Sequence, residues 1–288
     1  MTTPAPSVRS RFAERVRAPE SELDLAEAAL LIAAEEYPQL VPAAYLRRLE
    51  LLAERVRDRL DAERAPLVVL QELNRVLFEE EGLRGNEEAY YDPRNSFLND
   101  VLDRRLGIPI SLSVVYLEVG WRLGLPLEGV AFPGHFLVRY AGDAVRVLVD
   151  AFEGGRLRFE DEAQELLDRV YGGMVRLRPE FLERATKKAI LARMLSNLKG
   201  IYVNAQDDRR ALATIERLLL LRPDAVAELR DRGVLLARTG RREEALADLA
   251  RYLDRAPEAP DAGRVRGLLT RLERGEEEPA ADDHEPGV

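Results

Sequence analysis

Cysteine is absent from all 288 residues. That absence removes disulfides, cysteinyl zinc sites, iron–sulfur clusters and thiol nucleophiles together. Histidine is nearly as scarce, with His135 and His284 the two imidazoles, so a His-rich metal site is excluded and no metal or cofactor is expected. Nothing approaches the roughly 18 consecutive apolar residues that suggest a membrane helix. Residues Met1 to Glu20 carry Arg9, Arg11, Arg15 and Arg17 without the apolar core of a signal peptide, so a cytoplasmic protein with no membrane partner is expected. A basic excess is also missing. The 43 Lys and Arg are outnumbered by 52 Asp and Glu, giving a net charge of −9, which argues against a nucleic-acid partner.

What is present is enough apolar residue, 46%, to bury a core in each of two modest domains. Residues 1–18, and the acidic stretch 275–288 with Glu276, Glu277, Glu278, Asp282, Asp283 and Glu285, lack periodic apolar positions and read as disordered tails. Between them, Leu23, Ala26, Leu30 and Ala33 recur at helical spacing with Ser21 as cap. Leu46, Leu49, Leu52, Val56 and Leu60 share a face after Pro42, and Leu67 to Glu80 predicts a third helix. Gly82, Gly85, Asn86, Asp92, Pro93 and Asn95 break the pattern, and Ser96 can cap a short helix ending at Arg105.

Pro109 suits the first turn of a helix, where its missing N–H costs nothing, and Ile110 to Leu123 has the spacing of a buried one. The period then changes. Leu127 to Phe132, His135 to Tyr140 and Val145 to Asp150 are short Val-, Phe-, Leu- and Tyr-rich runs, the last two joined by residues 141–144, and predict an antiparallel sheet with a hairpin. Trp121 falls at helical spacing from Leu117 and reads as core.

The last third repeats itself. Ala211-Leu212-Ala213 with Arg222-Pro223-Asp224 overlies Ala245-Leu246-Ala247 with Ala256-Pro257-Glu258 at an offset of 34 residues, the tetratricopeptide period. Tyr202 and Gly233 fall on further motif positions, whereas Lys199 stands where Gly is usual. Two units are fewer than a free-standing solenoid needs, so the helix 185–204 is expected to dock them on the preceding domain. Arg209, Arg210, Arg241 and Arg242 read as a solvated face, with a groove for an acidic peptide as the alternative.

One string of motifs is distinctive: Tyr91-Asp92-Pro93-Arg94-Asn95-Ser96-Phe97-Leu98-Asn99-Asp100, Arg105-Leu106-Gly107-Ile108-Pro109-Ile110-Ser111-Leu112-Ser113, Arg122-Leu123-Gly124-Leu125-Pro126, and Phe132-Pro133-Gly134-His135-Phe136-Leu137. It resembles the transglutaminase-like domain of bacterial SirB-type (YchA-like) proteins, which tetratricopeptide repeats also follow. The resemblance spans roughly residues 25–253 and implies an α+β fold. A helical N-terminal layer would cover a papain-like core with a small antiparallel sheet over residues 19–180, and all-α repeats would occupy 185–272.

The resemblance also implies a Cys at the start of a buried helix, a His on one strand and an Asp on the next. His135 and Asp150 match the last two, while Pro109 falls near the Cys position, with Ser111 and Ser113 the nearest hydroxyls. A serine cannot lose its proton near neutral pH as an activated thiol does. Two readings follow. Ser111, His135 and Asp150 form an altered triad of a hydrolase or acyltransferase acting on a peptide or amide, or they are a structural relic in a non-catalytic adaptor whose repeats hold a protein or peptide. Asn95, Asn99, Pro109 and Ser113 are expected to line the cleft, while the cluster Asp92, Asn95, Ser96, Asn99 and Asp100 reads first as turn and cap residues.

Overall fold

The computed structural model describes residues 7–60, 65–142 and 145–275. Two compact units, residues 1–197 and 198–288, divide inside one helix. The expected tails lie outside the described residues at 1–6 and 276–288, but not at 7–17. There the Ser7 side chain accepts from the Ser10 N–H and starts helix α1 (Val8–Arg17), which buries Phe12 and Val16. Two apolar residues four apart among four arginines form a face too short to stand out in the sequence.

In the first unit, α2 (Leu25–Glu36) is capped by Asp24, not Ser21, through the Glu27 N–H at 2.8 Å. It is buried along almost its whole length. Helix α3 (Pro42–Arg57) buries Leu49, Leu52, Ala53 and Val56 and ends before Leu60. Helix α4 (Pro66–Asn74) runs into a π-helical turn, Arg75–Glu80, where the Glu81 N–H reaches back to the Val76 carbonyl. Helix α5 (Leu98–Arg104) begins after Phe97 and ends at Arg105 in the left-handed region; the Ser96 hydroxyl is buried and caps nothing.

Two short strands, β1 (Arg84–Gly85) and β2 (Leu106–Gly107), pair in parallel just ahead of α6 (Pro109–Arg122). Helix α6 is buried from Pro109 to Gly120. Its Glu118 carboxylate accepts the Ala26 N–H at 3.0 Å and pairs with Arg122, tying α2 to α6.

The sheet is antiparallel, as the alternation predicts. It comprises β3 (Leu127–Val130), β4 (Leu137–Gly142), β5 (Val145–Asp150), β6 (Arg156–Arg158) and β7 (Arg184–Ala185), in the order β6-β5-β4-β3-β7. Residues 143–144 of the predicted hairpin turn lie outside the described residues. Helix α7 (Ala163–Tyr171) covers one face through Ala163, Leu166 and Leu167 against Val130, Phe132, Leu137 and Leu148. Trp121 is part-buried rather than fully core, its indole N–H bonded to the Leu127 carbonyl at 2.9 Å under the Lys187 ammonium.

Helix α8 (Lys187–Asn204) contains the boundary between units. The second unit continues with α9 (Asp208–Leu221), α10 (Val226–Arg238), α11 (Arg242–Arg255) and α12 (Ala262–Arg274). Ala211 and Ala245, equivalent in the repeat, are both fully buried. Gly233 lets α10 approach α11, since a Cβ there would sit 2.7 Å from Leu249. Arg232 clamps the buried Asp248 through two hydrogen bonds of 2.5 and 2.7 Å.

Candidate functional site

The segment ahead of α6 is held by one carboxamide. Asn95 is fully buried; its Nδ2 donates to the carbonyls of Ala89 (2.7 Å) and Tyr90 (3.2 Å), and its Oδ1 accepts from Asn86 Nδ2 (3.0 Å). Asp92 starts the 3₁₀ turn Pro93–Asn95 by accepting the Arg94 N–H, and its bonds to the Arg94 guanidinium hold its pKa below the ordinary carboxylate value. Asp100 accepts from the Tyr37 hydroxyl at 2.6 Å, while burial pushes its pKa up.

Ser111 meets this segment from α6. Its hydroxyl donates to the Asn95 carbonyl at 2.6 Å and accepts the Ile108 N–H at 3.0 Å, and the residue is wholly inaccessible to solvent. It stands at the third position of α6 and satisfies a backbone group at the helix start. No hydrogen bond joins it to His135. Pro109 and Ser113 are buried and Asn99 nearly so; together with Asn95 they lie in the interior and do not line an open cleft, because the loop bonded to Asn95 closes over the helix start.

His135 and Asp150 do come together. The β4–β5 ladder ends with Val138 opposite Val149, which leaves Asp150, at the end of β5, beside the bend that leads His135 into β4. His135 Nε2 lies 2.9 Å from Asp150 Oδ1, which also accepts the N–H groups of Phe152 (3.1 Å) and Glu153 (3.2 Å). A carboxylate can only accept, so Nε2 carries a proton. Asp150 Oδ2 is buried without a hydrogen-bond partner.

The surroundings include residues that no motif in the sequence pointed to. The Phe152 ring meets His135 edge to face at 6.1 Å and Tyr90 at 6.2 Å. Gly85 lies beneath that ring, where a Cβ would come within 2.5 Å of it. Further inside, Ser113 Oγ, Asn99 Oδ1 and Tyr116 OH are buried without hydrogen-bond partners, and burial pushes the Tyr116 phenol up. Among the described residues no group of three or more His, Asp or Glu is placed to hold a metal ion, and no helix is long and apolar enough to cross a membrane.

Residues 43–196 match the transglutaminase-like superfamily, and residues 198–270 match the tetratricopeptide repeat. The chain belongs to the transglutaminase-like superfamily. A UPF0162 protein of Xylella fastidiosa (strain 9a5c) is 41% identical over 256 residues, covering 88% of this chain and 91% of that protein. A UPF0162 protein of Vibrio cholerae is 30% identical over 69% of this chain and 73% of its own length. The mouse F-box only protein 21 shares 45% identity over 85 residues, which is 30% of this chain and 14% of that one. The expected architecture, a transglutaminase-like domain and then tetratricopeptide repeats, is therefore present, and the bacterial relatives agree with a SirB-type family.

Within the transglutaminase-like domain, the His and Asp that the superfamily pattern implies are paired, and the nearest serine is turned toward backbone. In the repeats, three of the four arginines are engaged. Arg210 pairs with Asp207, Arg241 with Glu244, and Arg242 donates to the Glu273 carbonyl. A second charged row, Lys199, Asp231, Arg230 and Asp261, links α8, α10 and the start of α12.

Proposed function

We propose that this protein is a non-catalytic cytoplasmic adaptor: its transglutaminase-like domain is a recognition and scaffolding module, and its repeats hold a protein or peptide partner. The observation that carries this reading is the Ser111 hydroxyl. The chain has no thiol, and the serine nearest the superfamily's cysteine position is buried, with its proton donated to the Asn95 carbonyl and its lone pair directed to the Ile108 N–H. A nucleophile needs a base within hydrogen-bond reach and room for an acyl carbon. Ser111 has neither. His135 and Asp150 then serve to close the sheet end and to present Nδ1 to a ligand.

Intact mass after exposure to a fluorophosphonate tests the catalytic half. The expected result is an unmodified protein. A single adduct that disappears in both Ser111→Ala and His135→Ala overturns the proposal and makes this a serine enzyme. Partner capture tests the other half: substitutions along Lys199, Arg230 and Asp231 are expected to abolish it, and His135→Ala to leave capture by the repeats intact. Unchanged capture by the substituted repeats counts against an adaptor.

A further inference from the structure

Three guanidinium groups meet one carboxylate where α7 passes the edge strand of the sheet. Strand alternation turns Arg156 and Arg158 of β6 to the face that holds their β5 partners, Asp150 and Leu148. Helix α7 packs on Leu148 from that face and brings Arg169 alongside. Glu153, in the turn between β5 and β6, accepts from all three: from Arg158 Nη2, from Arg169 Nη1 at 2.8 Å and from Arg156 Nη1 at 3.5 Å. Its own N–H is bonded to Asp150 Oδ1 at 3.2 Å, which fixes the turn. Arg158 is interior, 2% exposed, whereas the Arg156 and Arg169 side chains are 58% and 53% exposed.

One carboxylate does not balance these arginines. Among the described residues no other acid meets any of the three, so two positive charges are left over. Asp150 is turned to His135 instead. Donors are left over as well. A guanidinium presents a fork of N–H groups, yet among the described residues each of these three bonds Glu153 alone, and the Arg158 Nε is buried without a partner. Arg139 shows the contrast, since it meets Glu128, Glu160 and the Leu182 carbonyl. Burying a guanidinium donor unpaired is costly, so the cluster is built for more anion than Glu153 supplies.

We propose that Arg156 and Arg169 bind a phosphomonoester group, with the interior Arg158 adding charge from within and Glu153 setting the spacing of the two exposed forks. Two surplus charges match a dianion, and phosphoryl oxygens take up several N–H groups at once; a carboxylate of single charge leaves one cation unmatched. The site neighbours the His135–Asp150 pair through the Glu153 turn, and it asks nothing of the Ser111 hydroxyl. It therefore goes beyond the adaptor reading and stands or falls separately from it.

The test is a titration of the full chain, by calorimetry and by NMR of the arginine Nε–H groups, with inorganic phosphate and with acetyl-phosphoserine-amide at constant ionic strength. Saturable binding with shifts at Arg156 and Arg169 is expected, and Arg156→Gln and Arg169→Gln are each expected to weaken it about tenfold. Both side chains are half-exposed, so the variants are expected to keep the unfolding temperature of the parent. Arg169→Lys retains the charge without the fork and is expected to recover part of the loss. Acetate, with a single charge, is expected to bind about tenfold more weakly than phosphate. Tighter binding of acetyl-phosphoserine-amide than of phosphate assigns the site to a phosphorylated side chain, and equal binding assigns it to a free phosphate; either upholds it. Acetate binding as tightly as phosphate overturns the site, as do unchanged binding by both Gln variants, shifts at other arginines in place of these, or no saturable binding. A fluorophosphonate adduct on Ser111 would overturn the adaptor reading and leave this result untouched.

Discussion

The Ser111 hydroxyl lies 2.6 Å from the backbone carbonyl oxygen of Asn95, and the two residues are both fully buried. The contact ties the start of α6 to the loop that leads into it. Ser111→Ala strands the Ile108 N–H and the Asn95 carbonyl, and is expected to cost about 1–3 kcal/mol. Ser113, two residues on, has a buried hydroxyl with no partner, so Ser113→Ala is expected to be neutral or stabilising. Urea denaturation of the two variants decides: similar losses at both positions would show that Ser111's bonds contribute little.

Asp150 and His135 are unequal members of their pair. The aspartate side chain also receives two backbone N–H groups, from Phe152 and Glu153, whereas the His135 ring makes no other hydrogen bond among the described residues. Asp150→Ala is therefore expected to lower stability by about 2–3 kcal/mol more than His135→Ala, since hydrogen bonds to charged groups are the stronger ones. Thermal melts that place the two variants together would mean that the backbone bonds are replaced by water.

Glu118 sets a pH dependence. Burial raises its pKa above the ordinary 4.5, with Arg122 opposing the shift. The folded chain thus holds this proton more tightly than the unfolded chain. The stabilisation is fully present below the ordinary value and is lost as pH rises through the raised one. Glu118→Gln keeps an acceptor for the Ala26 N–H but does not titrate. Relative to the parent, the variant is expected to gain stability as pH rises from 4.5 through the raised Glu118 value and to hold a constant difference above it. Parallel stability curves would refute a raised Glu118.

In the repeats, Gly233→Ala places a methyl group 2.7 Å from Leu249. Overpacking of this kind costs about 1–3 kcal/mol. The change is expected to lower the unfolding temperature of the repeats while the His135 ring resonances stay unmoved. A fully stable variant would show that α10 and α11 can separate without loss.

Elements with long apolar periods were legible from sequence, among them α3, α6, the strands β3 to β5 and the 34-residue repeat. The approach of His135 to Asp150 was legible through the resemblance to the transglutaminase-like domain, which implies a His and an Asp on successive strands. Capping was less legible. Ser21 and Ser96 have the right chemistry, but Asp24 and Phe97 occupy the cap positions, since burial of Leu25 and Leu98 decides where each helix begins. The resemblance put Asn95 in the cleft and Ser111 beside the nucleophile position; here each hydrogen bond is made internally.

The π-helical turn at Arg75–Glu80 carries a consequence for comparing this chain with others. Such a turn holds one residue more than regular α-helix, so the side chains toward its end at Glu80 are turned by about 100° relative to an unbroken helix. Phe78 sits inside it and stacks on Tyr116 at 6.1 Å. A relative shorter by a single residue here would run straight through as α-helix and present a different side chain to Tyr116. Alignments that place the gap even three residues away would then match the wrong aromatic partner, so insertion length between α4 and β1 is itself a structural character by which members of the family can be sorted.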